Sequence, residues 1–274
     1  VSSPSASLAV WASSWLAGIG APDDVIDAMT EWAPMHLLVA GDGPSADATG
    51  LSWPSPRADG VAGLLTVIRR HLPAERTEPG IELLLPGPGA TTTHLPPGTP
   101  FARSAIGAEQ AVVVGDPGAR GLGIVPTVVG PDVLRWTVFV IDVPVHAGTD
   151  FTLGEAEYAM REAVRGAADA LGTMQSLPTR SELGDPRARI AAELAELSRH
   201  RYPDETPERA LRVLESADRV AAILSVARHS SPTEEPTAHS AAAREDLIRP
   251  LWNAVRSARL GAISASIASS VPRR

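Results

Sequence analysis

Residues 123–143 read GIVPTVVGPDVLRWTVFVIDV. Two runs of β-branched and aromatic residues, Ile124–Val129 and Val133–Val143, flank Gly130-Pro131-Asp132. Glycine and proline break a strand and aspartate favours a tight turn, so the stretch predicts an antiparallel hairpin. A sheet that contains a hairpin cannot be purely parallel. Outward from it, Met35–Ala40 (MHLLVA), Ile81–Leu85 and Ala111–Val114 predict further strands. They stop at Gly41-Asp42-Gly43, Pro86-Gly87-Pro88-Gly89 and Gly115-Asp116-Pro117-Gly118. Helical segments alternate with them. Leu8, Trp11, Trp15 and Ile19 fall on one helical face, and residues 22–33 follow with Pro22, Asp23 and Asp24 in a first turn. Gly60–His71 reads as a helix with Leu64, Val67 and Ile68 inward, and Thr99-Pro100 opens a short helix over Phe101–Ala108. The fold class is therefore α+β, with a mixed β-sheet and flanking helices over residues 1–150.

Beyond residue 150 the pattern changes to alanine, glutamate and arginine at helical spacing. Thr152-Leu-Gly-Glu155 has the form of a capping box, followed by Met160, Val164, Ala167, Leu171 and Met174 at alternating spacings of four and three. Asp185-Pro186 caps a second helix through Ile190, Leu194 and Leu197, and Thr206-Pro207 a third that runs to about Arg228. Residues 229–239 (HSSPTEEPTAH) are polar and proline-broken, the composition of a mobile loop. Ser240 opens a last helix through Leu247, Leu251 and Val255. Glu157/Arg161, Glu208/Arg212, Glu215/Arg219 and Glu245/Arg249 are i,i+4 pairs in the favourable order. Residues 151–274 form a helical part, which either stands alone or packs with the sheet as one domain.

Charge divides the chain at the same place. Residues 1–150 hold 15 carboxylates against 7 arginines, the whole net charge of −8, while residues 151–274 hold 17 of each. An acidic N-terminal part repels phosphate backbones, so no nucleic-acid partner is expected. Arg249, Arg256 and Arg259 lie near one face of the last helix, but no aromatic interleaving accompanies them and they read as a solvated face. There is no cysteine, and all 24 basic residues are arginine. These zeros remove disulfides, thiol nucleophiles, thiolate metal sites and Schiff-base lysines. The first 56 residues hold six carboxylates and no cation, so no signal peptide is read, and no apolar run reaches membrane-span length. A cytoplasmic protein without a membrane partner is the expectation.

Chemistry-bearing motifs are absent. No Gly-x-Ser-x-Gly and no His-Glu-x-x-His occurs, and the histidines at 36, 71, 94, 146, 200, 229 and 239 share no ligand spacing. No catalytic residue, metal or cofactor is therefore assigned. The glycine-rich strand ends are poor phosphate cradles, because prolines remove donors and Asp42 and Asp116 bring negative charge. The remaining candidates are Thr92, Thr93, His94, Arg103 and Arg120, which could line an anion or polar-ligand pocket at one sheet edge. Wide apolar stripes on the third and fourth C-terminal helices (Leu211, Leu214, Ala221 and Leu224 with Val213, Val220 and Ile223; Leu247, Leu251 and Val255 with Ile248 and Trp252) predict a further layer, and a homodimer is the expected source.

From about Gly60 to Gly172 the order is helix, strand, threonine-rich stretch, short helix, strand, hairpin, helix. The segments GAEQAVVVGDP, GIVPTVVGPDVLRWTVFVID and DFTLGEAEYAMREAVRGAADAL resemble the later half of GAF-type sensor domains. That resemblance implies a regulatory small-molecule pocket between sheet and helices, or a dimerising scaffold. The sequence departs from the pattern in its short stretch between Asp116 and Ile124. The expected function is a non-catalytic protein that binds a small ligand or a protein partner. The alternative is an enzyme with a scattered Asp/Glu/His/Arg site, which a deep pocket holding perturbed carboxylates would favour.

Overall fold

The hairpin forms the middle of the sheet in a computed structural model of the chain, which describes residues 3–72, 80–87, 95–145, 152–173, 186–229 and 238–270. Its arms are β4 (Arg120–Gly130) and β5 (Val133–Asp142), so the first arm starts earlier than the apolar run suggests. The other strands are β1 (Met35–Ala40), β2 (Ile81–Leu84) and β3 (Ala111–Val114). They make one five-stranded sheet in the order β1-β5-β4-β3-β2. β1 runs parallel to β5, with Leu38 beside Trp136, and the other three pairings are antiparallel. The sheet is mixed, and the α+β class holds.

Both faces of the sheet are covered, which is why β3 is apolar at every position and buried throughout. One face carries α1 (Pro4–Leu16), α2 (Pro22–Thr30) and α4 (Gly60–His71) over Leu38, Leu122, Ile124, Trp136 and Val138. The other carries α5 (Pro100–Ala108), whose Phe101, Ala102 and Ala105 pack with Val113, Val125, Phe139 and Ile141. Two glycines let the rings in. A Cβ on Gly123 would come within 2.4 Å of Phe101, and one on Gly41 within 2.0 Å of Phe139. Helix α1 has no charged residue and is buried on nearly every side, as an all-round apolar helix must be.

Several local expectations are corrected. α1 ends at Leu16, and Ile19 lies past it, 54% exposed, instead of continuing its face. α2 ends at Thr30. The segment after β1 is a helix, α3 (Gly43–Thr49): Asp42 accepts from the Ser45 amide at 2.8 Å as its N-cap. α3 also finishes the sheet edge where β1 stops, because the Val140 amide, past the last β1 partner, donates to Ser45 Oγ at 2.9 Å. The outer edge of β1 is closed by Ser52 and Arg57, whose carbonyls accept from the Ala40 and Leu38 amides. At α5 the expected cap is present, with Thr99 Oγ1 accepting from Ala102.

The chain divides into two compact units. The helical unit comprises Asp150–Arg199 and Glu208–Ala262; the sheet unit comprises Ser2–Thr149, His200–Pro207 and Ile263–Arg274. Two segments from beyond residue 150 therefore belong with the sheet. The first, His200–Pro207, lies like a strap on α1 and α2. Trp32 stacks on His200 with ring centroids 3.5 Å apart, and Trp11 Nε1 donates to the Arg201 carbonyl at 2.9 Å. The Ser14 hydroxyl donates to the Glu205 carboxylate. Thr206 does not cap the helix that follows; its hydroxyl is buried without a hydrogen bond.

The helical unit holds α6 (Leu153–Thr173), α7 (Pro186–Leu197), α8 (Glu208–His229) and α9 up to Ala262, out of a helix spanning Ala238–Ser269. The Thr152/Glu155 capping box forms in both directions. Leu224 and Leu251 pack with Val220, Ile248 and Trp252. Of the named stripe residues, Val213, Leu214, Ala221 and Val255 are buried, and Ile223 alone of the named α8 residues is exposed, at 46%. The loop residues 230–237, Asp185 and Met174 lie outside the described residues, as does the Glu245 side chain. Among the described residues no helix is long and apolar enough to cross a membrane.

Candidate functional site

The residues singled out from sequence are placed as follows. Arg103 sits in the first turns of α5 and donates to the Gly98 carbonyl at 2.9 Å, so its guanidinium is engaged by its own loop. Arg120 is exposed at the start of β4, opposite Asp142 in the hairpin register. Thr92, Thr93 and His94 lie outside the described residues. Arg256 donates to Asn253, and Arg259 is drawn inward to Asp218, so the arginines of the last helix are not one solvated stripe.

His36 serves structure. Trp136 Nε1 donates to His36 Nδ1 at 2.9 Å, and His36 Nε2 lies 3.0 Å from the Met29 carbonyl. A ring that accepts at Nδ1 must donate at Nε2, which fixes the neutral tautomer. Burial lowers its pKa from the usual imidazole value, with the Met29 and Ala33 carbonyls opposing. Among the described residues no group of three His, Asp or Glu side chains could hold a metal ion.

One carboxylate is strongly perturbed. Burial pushes Asp218 up to about 7 and its partner Arg259 down to about 10. Arg259 Nε and Nη2 both donate to Asp218 Oδ1, at 3.2 and 2.6 Å. A guanidinium cannot take a proton near neutrality, so this contact is a clamp between α8 and α9 and not an acid–base couple.

A cleft of about 500 Å³ opens between the C-terminal ends of α1 and α4 and the start of α2. Its residues follow from how α4 folds. Leu64, Val67 and Ile68 bury toward the sheet, which turns Ala62, Thr66 and Arg70 outward on the opposite i,i+4 row. Leu65 forms a buried floor, Trp15 and Ile26 are half-buried walls, and Pro22 and Asp23 stand at the α2 rim. Arg69 lies over the Trp15 ring, its guanidinium carbon 5.2 Å from the centroid. Among the described residues neither Arg69 nor Arg70 has a carboxylate partner, although both line the cleft. Their position in the last turn of α4 suits the negative end of the helix dipole, and Asp23 in the first turn of α2 suits the positive end. The volume falls in the range of small-molecule sites. Arg69 and Arg70 are not among the candidates that the sequence singles out. Their outward spacing was visible, but the tryptophan and isoleucine they face come from two other helices.

The chain matches two family models, "Rv1486c-like protein, N-terminal domain" over residues 5–150 and "Rv1486c-like protein, C-terminal domain" over residues 154–260. It is 39% identical to "Uncharacterized protein Rv1486c" of Mycobacterium tuberculosis (strain ATCC 25618 / H37Rv), over 98% of this chain and 99% of that one. It is 37% identical to "Uncharacterized protein ML1804" of Mycobacterium leprae (strain TN), again over 98% and 99%. No solved structure matches. With both halves matched in order and the relatives covered nearly end to end, the chain belongs to the family of Rv1486c-like proteins.

Proposed function

We propose that this is a non-catalytic protein that binds a small ligand in the cleft between α1, α2 and α4. The observation that carries the reading is the cleft itself, an apolar floor and walls beside two guanidinium groups that no carboxylate answers among the described residues. The absence of nucleophile, metal and phosphate motifs in the sequence supports binding over catalysis. The perturbed Asp218 is held by the Arg259 guanidinium. The resemblance of residues 60–172 to GAF-type domains implies a pocket between sheet and helices; the cleft lies instead among the helices of one face. Native mass spectrometry of the gently purified full chain tests the reading. A co-purifying small molecule is expected on the wild type and lost in Thr66→Trp, whose indole fills the cleft from an exposed helix position. The same bound mass on both proteins would place the ligand elsewhere.

Association with a protein partner, including a second copy, has one feature in its favour. Val128 and Val129 at the hairpin tip are 73% and 45% exposed, and Met35, opposite Val133 at the same end of the sheet, is 49% exposed. Light scattering of the wild type against a Val128→Glu/Val129→Glu variant separates this surface from the cleft.

A further inference from the structure

We infer that the ligand of this cleft is an amphipathic organic monoanion, with a flat apolar body and a single carboxylate or sulfonate head. The inference rests on the cleft being a binding site. Its chemistry follows from five side chains. Trp15 presents a half-buried ring, and that ring is already occupied by a planar group, the Arg69 guanidinium, 5.2 Å from the centroid. A ring that accepts a planar cation accepts a planar apolar body in the same place, with Leu65 beneath it. Arg69, lifted off the ring, and Arg70 next to it then supply N–H forks for one anionic head. Asp23 at the α2 rim limits the charge: a second negative group at the far end of the ligand would meet a carboxylate. The acidic balance of residues 1–150 works in the same direction, since its repulsion grows with ligand charge while the local arginine pair is spent on one head.

The test uses two probes of similar shape on the full chain, anilinonaphthalene sulfonate and the uncharged N-phenylnaphthylamine, followed by fluorescence titration. The sulfonate should bind more tightly than the neutral probe by about threefold to tenfold, as expected for charge-assisted contacts at a partly exposed site, and the advantage should shrink in high salt. Arg69→Ala/Arg70→Ala should abolish that advantage, and Arg69→Lys/Arg70→Lys should restore part of it. Thr66→Trp should block both probes. Unchanged melting temperatures establish that the exposed substitutions leave the fold intact. Equal binding of the two probes, insensitive to the arginines but blocked by Thr66→Trp, overturns the anionic class and leaves the cleft reading standing. Binding of neither probe, or binding indifferent to Thr66→Trp, overturns both.

Discussion

His36 holds two elements in register through one neutral ring, accepting from Trp136 and donating to Met29. Protonation would add an N–H facing the Trp136 donor, inside a buried site. The folded-state pKa is lowered, so the unfolded chain binds the proton first as pH falls. No cost arises well above the ordinary imidazole value of about 6.5, and stability is lost as pH drops through and below it. Thermal melts between neutral and mildly acidic pH should show this loss, and His36→Gln should flatten that part of the profile; an equal slope in both proteins would refute the assignment. The glycines under the phenylalanines carry a second expectation. Gly123→Ala pushes a methyl into Phe101, whose ring already contacts Phe139 at 5.9 Å between centroids. Overpacking of this kind costs about 1–3 kcal/mol. Urea unfolding should report it, and Phe101→Leu in the Gly123→Ala background should cost less than Phe101→Leu alone, because the two changes share one space.

Pro250 stands exposed inside α9, where it removes one backbone hydrogen bond and presses on the preceding turn. Pro250→Ala should stabilise the helical unit by up to about 3 kcal/mol, read as a raised unfolding midpoint in urea; an unchanged or lowered midpoint would mean that the helix path depends on the break. The elements whose signals are local were legible in the sequence. Thr99-Pro100 and the Thr152/Glu155 box announce helices because donor and acceptor lie three residues apart. Gly130-Pro131-Asp132 announces the hairpin for the same reason. α3 was missed although Asp42-Gly43-Pro44-Ser45 has the grammar of a cap followed by an early proline, because Gly-Asp-Gly reads equally well as a strand end. Thr206-Pro207 has that grammar too, yet the strap buries the hydroxyl. The cleft was not legible at all. Trp15, Ile26 and Arg69 meet only once the sheet has fixed where three helices lie, and no spacing along the chain encodes that meeting.

At the scale of the whole molecule, the sheet unit is not a contiguous stretch of chain, since His200–Pro207 and Ile263–Arg274 are part of it. A fragment ending at residue 150 lacks the ring stacked on Trp32, the acceptor of Trp11 and the carboxylate bonded to Ser14. We expect the fragment to melt below the same unit in the full chain, with weaker hydrogen-exchange protection along α1, and a synthetic peptide of residues 200–207 to recover part of the protection. Equal protection in the fragment and the full chain would show that the strap is dispensable. The arrangement also sets a timetable for the nascent chain. Synthesis runs from the N-terminus, so α1, the most buried helix of the sheet unit, leaves the ribosome before the strap that covers it. The strap is made only after the first part of the helical unit, Asp150–Arg199, has been translated, which at the usual elongation rates takes on the order of a few seconds. Through that interval two tryptophans and a buried serine helix wait uncovered, so the moment of greatest exposure to chaperones and to misassembly falls during translation and not after it.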